Sequence, residues 1–175
     1  MAKNSIENIL QDKKKLIKEL KVNARGSINT FAEKLEFSRQ KVWRIINDLE
    51  KEKKIWGYTA VVDDNFFGFN QYIILLKRTS LPVTELIIDL ITSREVKNKL
   101  AEMEIDIVGS YYVHGEYDWV IDIKAKDIKQ VKSIVEIFYK QLKNVISDIK
   151  ILEVIYPMQK CGIENPYPEK IKEFF

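Results

Sequence analysis

An α+β chain in two modules is predicted, a three-helix part followed by a β-α-β-β-α-β part. Three observations predict it. Before residue 55, apolar residues recur near the 3.6-residue helical period. From residue 71 onward, short β-branched runs alternate with helical runs. Charge divides along the same line: of the 29 Lys and Arg, 14 lie in residues 1–60, against only 8 of the 26 Asp and Glu. A length of 175 residues suits one domain or two small ones. A basic first module joined to a mildly acidic remainder turns the first module toward a polyanion.

The first helix is expected over about residues 5–22, where Ile6, Ile9, Leu10, Leu16, Ile17 and Leu20 keep helical spacing. Residues 23–26 (NARG) break it. Ser27 can cap a short second helix with Ile28, Phe31, Ala32 and Leu35 on one face. Ser38 can cap a third, whose stripe is Val42, Ile45, Ile46 and Leu49. Two short helices, a tight turn and a third helix form the helix-turn-helix arrangement.

The opposite side of that third helix carries the candidate DNA-contacting set: Ser38, Arg39, Gln40, Lys41, Trp43, Arg44 and Asn47. Gln40, Arg44 and Asn47 share a face by spacing. Arg reads guanine edges and Gln or Asn reads adenine edges in the major groove, while Arg39 and Lys41 suit phosphates. The far end, Asp48-Leu49-Glu50, is acidic, so contact is expected from the N-terminal turns. Lys13, Lys14 and Lys15 on the first helix read first as a solvated face. Residues 55–63 (IWGYTAVVD) are rich in β-branched and aromatic types and read as a strand or wing leaving the module.

These residues resemble the Lrp/AsnC (feast/famine) family of transcription regulators. The resemblance rests on Phe31-Ala32-Glu33-Lys34-Leu35, Ser38, Val42-Trp43-Arg44-Ile45, Leu49-Glu50 and the Ile55-Trp56-Gly57-Tyr58 exit. Two positions depart. Glu36 stands at the turn and Lys53 at the end of the third helix, where the family usually has glycine. A non-glycine at positive φ has a steric cost, so a differently shaped turn and helix end are expected.

Residues 63–70 read as a linker. A strand follows at 71–78, then a helical stretch over 81–103 bent near Thr92-Ser93. Strands are expected at 105–113 and 119–125, joined by the tight Gly115-Glu116-Tyr117-Asp118 connection. Asp127 can cap a long helix with Val131, Ile134 and Phe138 inward, and 149–156 closes as the fourth strand. This order is the ferredoxin-like plan. The strands at 71–78 and 149–156 are apolar on both faces, so the sheet needs cover on its second side. A facing sheet from a second chain, hence a homodimer, supplies it.

The resemblance extends through this half to about residue 156. It implies a winged helix-turn-helix domain over 1–62 and an ACT-like (RAM) ferredoxin-like dimerisation and effector domain over 71–156. Residues 157–175 then form a C-terminal extension, in which Pro157, Pro166 and Pro168 oppose one continuous helix. Residues 169–175 are expected as a short terminal helix. The resemblance also implies double-stranded DNA as partner, assemblies of dimers and an amino acid or other small effector. Carried over to this chain, the effector residues are Gly115, Tyr117 and Asp118. A purely structural turn, with Gly for positive φ and Asp for a local backbone bond, is the competing reading.

No catalytic constellation, cofactor motif or metal cluster is read from the chain. There is no P-loop and no Gly-x-Gly-x-x-Gly. Cys161 and His114 are each the only residue of their type. Siroheme decarboxylases share a winged-helix part with an AsnC-like domain, and His114 lies one position from where that resemblance places their histidine. The turn here has the regulator form. A sequence-tolerant chromosome organiser is a third reading. No apolar run reaches the roughly 18 residues of a membrane span, and the N-terminus lacks secretory character, so a cytoplasmic location is expected.

Overall fold

A computed structural model describes residues 2–93 and 95–175. Arg94, next to the bend predicted near Thr92-Ser93, lies outside the described residues. The chain divides into two compact units. One comprises residues up to Val61 together with Met158–Pro168, and the other comprises Val62–Pro157 with Glu169–Phe175.

The first unit holds α1 (Ala2–Val22), α2 (Ile28–Leu35) and α3 (Arg39–Lys51). Both expected caps are present. The Ser27 hydroxyl accepts from the Thr30 N–H at 3.1 Å, and Ser38 accepts from Lys41 N–H at 3.2 Å. Each satisfies one backbone donor that the first helical turn leaves unpaired. Leu16, Leu20, Phe31, Ala32, Val42, Ile45 and Leu49 form the core. Full burial of each large side chain there stabilises by about 1.5–3 kcal/mol. Ile6, Ile9 and Leu10, expected on the buried stripe of the first helix, are exposed.

The turn and helix end do not change shape to avoid positive φ. Glu36 caps α2 in the left-handed region at φ 56°, ψ 38°, and Lys53 has φ 55°. The Phe37 N–H returns to the Ala32 carbonyl at 2.9 Å, closing the helix end as a glycine would. Residues 55–63, expected as a strand or wing, carry no strand ladder.

The second unit contains β1 (Asn70–Arg78), α4 (Glu85–Thr92), α5 (Glu95–Glu102), β2 (Asp106–Tyr112), β3 (Trp119–Ala125), α6 (Ile128–Gln141) and β4 (Ile146–Glu153). The four strands form one antiparallel sheet in the order β2-β3-β1-β4. This is the ferredoxin-like plan expected from the sequence. The last strand begins three residues earlier than its apolar pattern suggests, because pairing with Tyr72–Arg78 of β1 sets its limits. Asp127 caps α6, accepting from the N–H groups of Lys129 and Gln130.

One sheet face meets the helices. Tyr72, Ile74, Leu76, Ile121, Ile123 and Ala125 pack there with Val131, Ile134 and Phe138. By strand alternation the other face carries Ile73, Leu75, Val120, Leu152 and Tyr111 at its centre. The first three are half-buried, while Leu152 and Tyr111 are exposed. Residues 63–70, read as a linker, contain a 3-10 turn at Asp64–Phe67 instead of free chain. Its buried Asp64 pairs with Lys124 of β3.

The tail is more ordered than its prolines suggested. A short hairpin, β5 (Gln159–Lys160) and β6 (Ile163–Glu164), turns through Cys161 and Gly162 at φ 50° and 82°. Two successive positive φ values are the backbone of a type I′ hairpin turn. The expected terminal helix is a 3-10 segment, Pro168–Phe174, with Phe174 packed 5.6 Å from Tyr156.

Candidate nucleic-acid interface and effector turn

Helix α3 separates its residues cleanly. Val42, Ile45 and Leu49 are buried, and Arg39, Gln40, Trp43, Arg44 and Asn47 are exposed. Trp43 leaves 59% of its surface open, an unusual position for a large aromatic in a small domain. Arg39, Gln40 and Arg44 make no side-chain hydrogen bond or ion pair among the described residues. Their donors are available to a ligand. Asn47 donates to the Trp43 carbonyl at 2.9 Å, which leaves its own carbonyl oxygen open.

Lys41 is placed differently. Its ammonium lies 2.7 Å from Asp12 of α1 and 3.9 Å from the Phe37 ring centroid. It ties α3 to α1, and a phosphate would have to compete with both partners. Lys13 is likewise engaged, 2.7 Å from Glu52 beyond the end of α3. That lysine, foremost by its hydrogen bond, holds the Glu52 carboxyl below its usual range. The Tyr58 hydroxyl donates to Glu50 at 2.9 Å. The tyrosine of the exit segment thus fastens that segment to the acidic end of α3.

At the β2–β3 turn, Asp118 is committed within the domain. Its carboxylate accepts from the Arg78 backbone N–H at 2.8 Å and from Arg78 Nε at 3.1 Å. The backbone bond is the main cause that its carboxyl titrates below the ordinary range, against the opposing effect of desolvation. Asp118 N–H donates to the Leu76 carbonyl at 3.0 Å. The residue therefore joins the start of β3 to the end of β1. Arg78, 40 positions away, is a partner that only strand pairing reveals.

Tyr117 sits beside Lys150, whose ammonium is 5.5 Å from its ring centroid. Gly115 has neither positive φ nor any atom within 4 Å of where a Cβ would stand. The conformational reason given for a glycine there is absent from the single chain. His114 is exposed next to it.

No family model matches the sequence. The chain is 28% identical over 149 residues to an uncharacterised helix-turn-helix transcriptional regulator of Pyrococcus abyssi, covering 80% of this chain and 93% of that one. Among solved structures, a transcriptional regulator of Neisseria meningitidis in complex with L-methionine superimposes with a TM-score of 0.65. The match is 15% identical and covers 90% of this chain and 96% of that one. AsnC of Escherichia coli superimposes with a TM-score of 0.58 at 17% identity, covering 85% and 93%. The chain has the Lrp/AsnC fold. The helix-turn-helix and ferredoxin-like architecture that the resemblance implied is present, and the solved structures that superimpose on it include AsnC-family transcription regulators. Among the described residues of this Lrp/AsnC fold, no helix is long and apolar enough to cross a membrane.

Proposed function

We propose that the chain is a sequence-specific DNA-binding transcription regulator of the Lrp/AsnC type, acting in the cytoplasm and not as an enzyme. The observation that carries this reading is the α3 face. Gln40, Arg44 and Asn47 stand exposed at i, i+4 and i+7 on a helix capped by Ser38, with Arg39 at its first turn. Bidentate donors in this spacing suit base edges in the major groove. Arg44 and Gln40 read bases, Arg39 meets phosphate, Ser38 sets the helix start, and Trp43 adds apolar contact. Lys41, held by Asp12, contributes to DNA chiefly by fixing α3 on α1.

The chain works as a homodimer through the open sheet face, which places two recognition helices on DNA. A small effector, of which an amino acid is the class the relatives suggest, acts at the Gly115–Asp118 turn by changing how dimers assemble. It can do so only through a difference in affinity between the assembled and separate states. The Asp118–Arg78 pair fixes the turn, and Gly115 and Tyr117 present its outer surface.

Genome-wide mapping of bound sites tests the reading. The expected result is a shared two-fold motif with half-sites about one helical turn, 10–10.5 base pairs, or a multiple apart. Equal affinity for unrelated duplexes would replace it with the chromosome-organiser reading.

A further inference from the structure

Between the sheet and the helical layer of the second unit lies a pocket of about 290 Å³. It is not the Gly115–Asp118 turn. Its walls come from the α4–α5 junction, α6 and the inner face of β2 and β3, including Ile107, Ile121, Trp119 and Phe138. The two rings meet edge to face at 5.6 Å, and Tyr112 stacks on the far side of Trp119 at 5.2 Å. The pocket is near the lower end of small-molecule sites, which begin at about 300 Å³.

Five polar residues line the same space, Thr92, Ser93, Lys97, Ser110 and Gln141, and the last three carry the argument. Gln141 Oε1 is shielded from solvent and has no hydrogen-bond partner. An orphaned buried acceptor is costly, and a leucine at that position would have avoided it. Ser110 Oγ accepts from Trp119 Nε1 at 2.8 Å, which leaves its own hydroxyl hydrogen to donate. Lys97 is exposed at the pocket and has no ion-pair partner among the described residues.

We propose that this pocket binds a one-ring aromatic carboxylate carrying a hydroxyl or amine donor. The ring lies against Trp119 and Phe138, the donor satisfies Gln141 Oε1, and the carboxylate meets Lys97. The pairing follows from the chemistry of the walls: aromatic surface within, one buried acceptor and one exposed cation. A purely apolar ligand would leave Gln141 orphaned. The inference does not depend on DNA binding, since it concerns a site wholly within the second unit.

The test uses the full chain with Trp43→Phe and Trp56→Phe, so that Trp119 is the only fluorophore of its kind. Three probes are titrated: 4-hydroxyphenylacetate, phenylacetate and 4-hydroxyphenylethanol. Saturable change in Trp119 emission is expected with the first, and binding about 10-fold weaker with each of the others, of which phenylacetate lacks the ring hydroxyl and 4-hydroxyphenylethanol has a neutral alcohol in place of the carboxylate. Gln141→Leu should raise the melting temperature of the free protein and erase the preference for the hydroxyl. Lys97→Met, at an exposed position that leaves the fold intact, should erase the preference for the carboxylate. No saturable change at millimolar 4-hydroxyphenylacetate would overturn the proposal. So would an unchanged ranking of the three probes in Lys97→Met.

Discussion

Arg44 is the residue on which the DNA reading turns. Its guanidinium has no partner among the described residues, so none of them competes with a guanine edge. Arg44→Ala should cost about 1–3 kcal/mol in operator affinity and relax the sequence preference. Fluorescence anisotropy with an operator and a scrambled duplex measures both, and unchanged operator affinity would remove Arg44 from base readout. Glu36 offers a prediction of opposite sign. A left-handed backbone costs a non-glycine about 1–2 kcal/mol. Glycine escapes that cost but loses more chain entropy on folding. Glu36→Gly should therefore gain a net of about 0.5–1 kcal/mol, seen as a higher urea midpoint with unchanged slope. At Asp118 the prediction concerns pH. Its folded carboxyl titrates below the unfolded value, so its stabilising effect is fully present above about pH 4 and fades as pH falls through the folded value. The melting temperature of the wild type should exceed that of Asp118→Asn at neutral pH. The gap should close in acid, and a gap independent of pH would contradict the role given to the Arg78 pair.

At the scale of elements, α3 depends on how it begins. The Ser38 hydroxyl satisfies the Lys41 N–H, and Asp12 holds the Lys41 ammonium from α1. Start and docking of α3 are therefore fixed at the same turn. Ser38→Ala should cost about 1 kcal/mol of stability and fray the turn that carries Arg39 and Gln40. Chemical denaturation measures the first effect, and amide exchange at Gln40–Val42 the second. The Gly115–Asp118 turn shows the same economy of parts. Arg78 and Asp118 join the ends of two paired strands, so a ligand meeting the outer surface of the turn meets a rigid edge.

The whole molecule presents an unfinished surface. Ile73, Leu75 and Val120 lie at the centre of the open sheet face, beside exposed Leu152 and Tyr111. An apolar face of this kind favours burial against a second copy. Sedimentation should show a dimer at micromolar concentration. Leu75→Glu, which places two like charges in a symmetric interface, should yield a folded monomer with unchanged circular dichroism. A wild-type monomer at that concentration would end the dimer argument and the two-half-site expectation with it.

Much of this protein was legible in its sequence because the relevant information is local. Ser27, Ser38 and Asp127 cap as expected, since a cap needs only its own hydroxyl or carboxylate and an N–H two or three residues on. The α3 stripe and its exposed opposite face follow from helical period alone. The βαββαβ order follows from the alternation of apolar runs. What the sequence did not disclose involves partners far apart in the chain. Lys41 reads as a free cation until α1 brings Asp12 to it. Asp118 reads as an open carboxylate until β1 brings Arg78. Ile6, Ile9 and Leu10 keep helical spacing yet are exposed, since burial requires an opposing surface that spacing alone does not supply. Residues 55–63 have strand composition yet pair with no other strand. The pocket around Gln141 exists only because α6 and the α4–α5 junction close over β2 and β3. Local pattern determined which elements form, because backbone hydrogen bonds and side-chain period act within a few residues. Tertiary structure alone decided which polar groups are satisfied and which remain for a ligand, because that depends on what is packed across from each of them.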